Sequence, residues 1–285
     1  MIDSLHGAAA WRLVTPSCRC RMSKTASHPQ AAPQPDPDAI SLHVLTLNVH
    51  KGFGFLNRGL VLHELRDAVR TTGADIVFLQ EVIGTHARHA RRYARWPTQP
   101  QYEFLADSMW PQYAYGRNAV YQEGDHGNAV LSKFPIVRYS NVEISAGRLE
   151  KRGLLHCEIA VPGRETNVHA LCVHLGLREW QRRQQVDKLK QYVADVVPAH
   201  APLIVAGDFN DWRNRATPAL RSVGLVEAFA GNGNGCARTF PGRWPLLRLD
   251  RIYVRNAGIC RALILSGQPW PHLSDHLPLF SEVTL

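Results

Sequence analysis

Leu203-Ile-Val-Ala-Gly-Asp-Phe-Asn-Asp211 decides how the chain is read. An apolar run of buried-strand length ends abruptly in a carboxylate, an aromatic and a carboxamide, the way α/β enzymes present reactive groups. The pattern recurs: Val44 to Leu47 delivers Asn48, Ile76 to Gln80 delivers Glu81, and Leu171 to Val173 delivers His174. Two later segments, Leu249-Asp250-Arg-Ile-Tyr-Val254 and Ser274-Asp275-His276-Leu-Pro278, add further carboxylates and a second histidine. A single polar strand end carries little meaning. Several that together supply Asn, Glu, His and Asp describe an oxygen-rich metal site.

Working outward, periodicity predicts strands over 42–48, 75–80, 127–131, 153–161, 166–174, 203–207, 249–255, 260–265 and 278–284. It predicts helices from about Leu60 to Thr72, stopped by Gly73, and from about Glu179 to Val197, where Val186, Leu189, Val193 and Val197 share one face. The Trp- and Pro-bearing region before residue 127 reads as irregular, and Gly231–Gly235 as a flexible loop. Mixed strands with helices outside them predict an α/β sandwich. Residues 1–40, studded with Pro29, Pro33, Pro35 and Pro37, read as a disordered extension, of which 1–21 precede a second possible start at Met22. Residues 41–285 read as one domain.

Six cysteines, at 18, 20, 157, 172, 236 and 260, show no C-x-x-C spacing and read as free thiols, buried where they lie in strands. No run approaches the roughly 18 to 20 apolar residues of a membrane span and no secretory core is visible, so a cytoplasmic protein is expected. The net charge is +9; without residues 1–40, which hold four basic and three acidic groups, 29 basic stand against 21 acidic, or +8. Such a balance attracts phosphate-bearing partners: nucleic acid, anionic lipid or a small phosphoester. Arginines interleave with aromatics at 86–96 and around Trp180, although a solvated helix face accounts for each cluster alone. Nothing calls for a protein partner.

Asn48, Glu81, Asp208, Asn210, Asp250 and Asp275 are hard oxygen donors, which favour Mg²⁺ or Mn²⁺ over zinc. Glu81 is the first candidate for a direct ligand, with Asn48 and Asp275 beside it. Adjacent side chains of an extended segment point apart, so Asp275 is expected to face the metal and His276 the substrate phosphate, with Asp250 holding the His276 Nδ1 proton. Consecutive Ser274, Asp275 and His276 cannot form a triad with one another. No G-x-S-x-G elbow or G-x-x-x-x-G-K-[ST] loop is present.

The ordered set Leu47-Asn48, Gln80-Glu81, Gly127-Asn-Ala-Val-Leu-Ser132, Val173-His174, Gly207-Asp-Phe-Asn210, Leu249-Asp-Arg-Ile252 and Ser274-Asp-His276 resembles the endonuclease/exonuclease/phosphatase superfamily, and within it a bacterial stand-alone subgroup. The resemblance spans residues 42–285. It implies a four-layer α/β sandwich with two central, mainly antiparallel sheets, and divalent-metal-dependent cleavage of a phosphoester by an activated water. It also implies that Asn48 and Glu81 hold the metal with Asp275 beside it, that Asp208 and Asn210 orient the nucleophile and phosphate, and that Asp250 pairs with His276. His174 stands where abasic-site endonucleases carry a tyrosine motif, and resembles the secreted-DNase, sphingomyelinase and inositol-phosphatase branches, where it assists at the phosphate. Whether Asp208 or His276 is the base stays open. So do three functions: a nuclease, favoured by charge; a phospholipid phosphodiesterase or small-molecule phosphatase, favoured by His174; and a binding protein on a silent copy of the fold.

Overall fold

Strict alternation of side chains along the apolar runs sorts neighbouring residues into separate cores, and so builds layers. The computed structural model describes residues 39–285 apart from 58, 148–149 and 232–235. The expected extension up to residue 38, Cys18, Cys20 and most of the Gly231–Gly235 loop lie outside the described residues. The strands, in chain order, are β1 (Ser41–Asn48), β2 (Ile76–His86), β3 (Gln112–Tyr121), β4 (Gly124–Ser132), β5 (Ile136–Glu143), β6 (Gly153–Ile159), β7 (Val168–His174), β8 (Leu203–Asp208), β9 (Val226–Glu227), β10 (Asp250–Arg255), β11 (Gly258–Ile264) and β12 (Leu279–Thr284). The helices are α1 (Leu62–Thr71), α2 (Ala87–Arg92), α3 (Gln101–Ala106), α4 (Glu179–Val196), α5 (Ala216–Arg221) and α6 (Trp270–Leu273).

Two six-stranded sheets result, ordered β11-β12-β1-β2-β4-β3 and β5-β6-β7-β8-β10-β9. Each has one parallel pair, β1 with β2 and β7 with β8, and is otherwise antiparallel. Val44, Ile76 and Phe78 face Cys172, Ile204, Ala206 and Ile252 between the sheets. Their neighbours Leu45, Val77 and Leu79 turn outward onto Leu62, Leu65 and Val69 of α1, while Leu171, Leu203 and Val205 turn onto Val186, Leu189 and Val193 of α4. Each such fully buried aliphatic contributes about 1.5–3 kcal/mol of transfer free energy. The outcome is the four-layer DNase I-like α/β sandwich.

Buried polar groups pin the two sheets in register. Asn128 Nδ2 donates across the gap to the carbonyls of Gly153 (3.1 Å) and Cys172 (3.3 Å). Gln80 Nε2 donates to Thr46 Oγ1 at 3.2 Å and reaches Cys172 Sγ at 3.4 Å. Gly207 has φ +144°, and a Cβ there would lie 1.9 Å from the Val173 carbonyl oxygen. Only glycine lets β8 lie this close to β7 immediately before Asp208.

Local signals set the helix ends. Pro198 disfavours helical geometry at Val197, which is extended (φ −92°, ψ 117°), and Gly73 at φ +67° follows α1. Three expectations need correction. Strand β2 runs on to His86, so Glu81 lies within the strand rather than at its end. The stretch before residue 127 is built of α2, α3 and β3 rather than irregular chain; two six-residue helices are too short to show a period, and β3 is an edge strand that buries only Ala114 and Gly116. Cys260 is exposed, on an outer strand, whereas Cys157, Cys172 and Cys236 are buried free thiols. Among the described residues no helix is long and apolar enough to cross a membrane.

At the far end of β6 and β7, Tyr192, His156 and His169 form a chain, with 2.9 Å from the Tyr192 hydroxyl to His156 Nδ1 and 2.8 Å from His156 Nε2 to His169 Nδ1. Burial, and secondarily the neighbouring His169, lowers His156 from 6.5 to about 4. The unfolded chain therefore binds more protons below pH 6.5, and the His156 contribution, complete above that pH, is lost as pH falls toward about 4. Thermal unfolding in a pH series from 7 to 4 should show this decline, and His156→Gln should make it shallower. An unchanged slope would remove His156 from the account.

Candidate active site

The carboxyl ends of the two parallel pairs open at the same edge of the sandwich, where β10 begins and the segment before β12 arrives. Cross-strand register fixes three groups in a row: His174 pairs with Asp208, and Asp208 with Asp250. In the other sheet Asn48 ends β1 opposite Gln80, with Glu81 next along β2. Glu81 has φ +57° where the β2–β4 register slips between Leu79 and Val82. A non-glycine residue in that region is strained, and strain of this kind collects at functional positions.

Asn48 joins the two sheets. Its Nδ2 lies 3.2 Å from Asp208 Oδ2 and 3.4 Å from Glu81 Oε1, and its Oδ1 accepts the His50 N–H at 3.0 Å. One lone pair of that oxygen remains for a cation. Ser274 Oγ donates to the Asn48 carbonyl at 2.6 Å and accepts the His276 N–H at 3.2 Å, so it braces the site rather than reacting. Asp275 Oδ1 lies 3.7 Å from His50 Nδ1. His276 faces elsewhere: its Nδ1 is 2.9 Å from Asp250 Oδ2, and its Nε2 is 3.8 Å from Asp208 Oδ2. His174 Nε2 approaches the same Asp208 oxygen at 3.6 Å. Asn210, at φ +50°, donates its backbone N–H to Asp208 Oδ1 at 2.9 Å and its Nδ2 to the Leu175 carbonyl at 3.0 Å. All eight residues expected from sequence thus lie on this edge.

The ionisation states follow from burial set against charge. Burial alone would raise the Glu81 carboxyl, but His174 when charged, Lys51 and the Asn48 amide outweigh it and lower the group. Burial also drives His174 well below its ordinary value. With that ring neutral, Lys51, 3.5 Å away, and Asn48 are what keep Glu81 charged at neutral pH. Burial, then the adjacent Asp250 charge, raises Asp208 to about 6 against the pull of His276. Burial opposes a charge on His276, yet Asp250 and Asp208 hold it protonated, up to about 10. At neutral pH the edge therefore presents an ionised Glu81, an ionised Asp208 and an imidazolium between Asp208 and Asp250.

The donor set fits a hard divalent cation. Glu81 and Asp275 are half-buried carboxylates, and Asn48 has a free carbonyl lone pair. Asp208, Asp250 and His276 also lie within ligand distance of one another, with His276 Nδ1 already engaged by Asp250 at 2.9 Å. A second close group, His156, Glu158 and His169, lies on the outer face of the second sheet, where Arg138 binds Glu158.

Sequence reasoning passed over Lys51, His50 and the bracing role of Ser274; their only signal is adjacency to Asn48 and to Asp275. It also passed over Arg251, which is fully buried and donates to the carbonyls of Arg248, Asp250 and Asp211, holding the loops on either side of this edge.

A family model described as the Endonuclease/Exonuclease/phosphatase family matches residues 45–276. The chain is 52% identical over 246 residues to Uncharacterized protein YbhP of Escherichia coli (strain K12), covering 86% of this chain and 97% of that one. D. rerio TDP2, solved in complex with single strand DNA product, superposes with a TM-score of 0.62 at 18% identity, over 85% of this chain and 98% of that one. The mannosyl-6-phosphatase Bt3783 of Bacteroides thetaiotaomicron VPI-5482 gives 0.63 at 18%, over 86% and 100%. At such identity these two structures speak for the fold.

Proposed function

Because the chain belongs to the endonuclease/exonuclease/phosphatase family, whose members are metal-dependent hydrolases of phosphoesters, we propose that it cleaves a phosphodiester by in-line attack of an activated water. Asn48, Glu81 and Asp275 would hold Mg²⁺ or Mn²⁺. That ion would polarise a phosphoryl oxygen and offset charge developing on the leaving group. Asp208, ionised and fixed by Asn48 and the Asn210 N–H, aligns the water and takes its proton. Protonated His276, oriented by Asp250, turns Nε2 toward the reacting phosphate as a donor rather than a base, and His174 supplies a second contact. The observation that carries this reading is the convergence of Asn48, His174 and His276 on one buried Asp208 oxygen, with Glu81 joined to it through Asn48.

Neighbours of the same fold include a protein solved with a DNA product and a sugar phosphatase, so the fold alone does not select the alcohol. The nuclease reading is supported by the charge of +9, which raises local concentrations of any polyanion. A groove of about 670 Å³ beginning at Gly84, along β2 from Glu81 and lined by His86, Trp96, Tyr121 and Asp125, gives room for substrate flanking the phosphate.

The test is turnover with Mg²⁺ or Mn²⁺ on plasmid, single-stranded DNA, RNA, phospholipid vesicles, inositol phosphates and a chromogenic phosphodiester. At least the chromogenic ester should be hydrolysed, and chelator should stop it. Metal binding at the site with no turnover of any ester would overturn the hydrolase reading in favour of a silent binding protein.

A further inference from the structure

The loops that leave the catalytic edge carry large apolar side chains that nothing in the described chain covers. Leu56, in the short turn Phe55–Asn57 after β1, is 62% exposed. Trp244 and Leu246, each 65% exposed, and Leu247 sit in the hairpin that precedes Asp250. The two loops touch: the rings of Phe55 and Trp244 are 6.4 Å apart and near perpendicular, and the Arg243 guanidinium lies 5.3 Å over Phe55. The hairpin is closed by the Phe240–Leu247 bridge and tied to the site, since Gly242 N–H donates to the Asp275 carbonyl at 2.7 Å and the Phe240 ring lies 5.0 Å from His276. Phe53, by contrast, is packed against His89, Tyr93 and Trp96 and belongs to the interior.

Single exposed leucines are ordinary on a protein surface; a contiguous Trp and Leu patch beside an active site is not. Its charge is one-sided. Residues 49–57 and 238–249 contain Lys51, Arg238, Arg243 and Arg248 and no Asp or Glu. The loops after β7 and β8, at the same edge, expose Leu177 and Trp212, and Trp180 in the first turn of α4 is exposed beside them.

We propose that this rim docks on an anionic lipid bilayer. Leu56, Trp244 and Leu246 enter the boundary between headgroups and acyl chains, and Arg243 meets headgroup phosphates. The site is thereby set down on the phosphodiester of a lipid headgroup, a clause that rests on the phosphoesterase reading; the docking itself does not. Tryptophan, leucine and arginine on one rigid rim suit such an interface, where apolar side chains insert and cations hold the anionic surface. A nucleic acid would stack its bases on π faces, which Leu56, Leu246 and Leu247 lack. A second copy of the chain would bring like charges together.

The test separates docking from chemistry. Glu81→Ala protein in chelator is sedimented with vesicles of phosphatidylglycerol and phosphatidylcholine, with phosphatidylcholine alone, and with a DNA fragment as competitor. Sedimentation should require the anionic lipid. The double variant Trp244→Glu/Leu246→Glu should lower the partition coefficient about tenfold or more, and Arg243→Gln about fivefold. Placed in the wild-type background, these variants should leave the unfolding temperature and hydrolysis of a soluble chromogenic phosphodiester unchanged. The proposal is overturned if the protein fails to sediment with anionic vesicles at low salt, if the double variant sediments equally well, or if the variants weaken DNA binding and leave vesicle binding untouched. Vesicle binding by a protein that hydrolyses no ester would uphold docking and sink the phosphoesterase reading alone.

Discussion

Replacing Asp208 by asparagine is expected to lower kcat/KM by roughly 10²- to 10⁴-fold, the range that a positioned proton acceptor contributes, with little change in the unfolding temperature. The side chain is 1% exposed. One of its oxygens accepts the Asn210 N–H, and the other is approached by Asn48, His174 and His276. Asparagine keeps the size and one acceptor, so packing survives, but it cannot take a proton from water. Steady-state kinetics on a soluble phosphodiester, with circular dichroism to confirm the fold, decides the matter. Because His276 loses one of the two carboxylates that hold its proton, its pKa should also fall, which NMR of the imidazole would detect. Near-wild-type turnover with an unmoved imidazole would show that the water is activated elsewhere.

Glu81→Ala is expected to abolish high-affinity binding of Mg²⁺ or Mn²⁺ and, with it, measurable turnover. Its carboxylate stays ionised despite burial, with Lys51 and the Asn48 amide beside it, a charge state suited to a hard divalent cation. Calorimetric titration of Mn²⁺ into both proteins reads the loss directly, and retained micromolar affinity in the variant would refute the assignment. The backbone supplies an internal control. Residue 81 has φ +57°, where a side chain costs on the order of 1 kcal/mol and glycine costs nothing. Glu81→Gly should therefore be as inert as Glu81→Ala yet unfold at a higher temperature than it. A position where the functional residue is also the strained one trades stability for activity.

The strands that carry the site were legible because burial on both faces leaves an unmistakable apolar run that stops where the chain turns polar: Leu203 to Gly207 before Asp208, Leu171 to Val173 before His174. Edge strands left no such mark. β5 is exposed throughout except for half-buried Ile136 and Val142, and the pattern of β3 is no clearer. The position of Glu81 within a continuing strand was hidden because a bulge is a property of two paired strands, and a single segment does not reveal it. Asn128 sat in a motif whose use was opaque until the second sheet supplied the carbonyls of Gly153 and Cys172. Lys51 and His50 carry no periodic or spacing signal at all; only the left-handed turn that follows Asn48 brings them over Glu81 and Asp275.

The two sheets repeat one plan: a parallel pair joined through a helix, β1 and β2 through α1 and β7 and β8 through α4, with antiparallel strands on both sides. On the proposed assignment neither half is competent alone. One brings Asn48 and Glu81, the other His174 and Asp208, and the bonds from Asn48 to Asp208 and from His276 to Asp250 are the stitches across the seam. Catalysis thereby becomes a gauge of closure. Parting the halves by the length of a hydrogen bond would silence the enzyme before either core loosened, and any phosphate or ion gripped from both sides acts as a clasp that stabilises the whole chain in proportion to its occupancy.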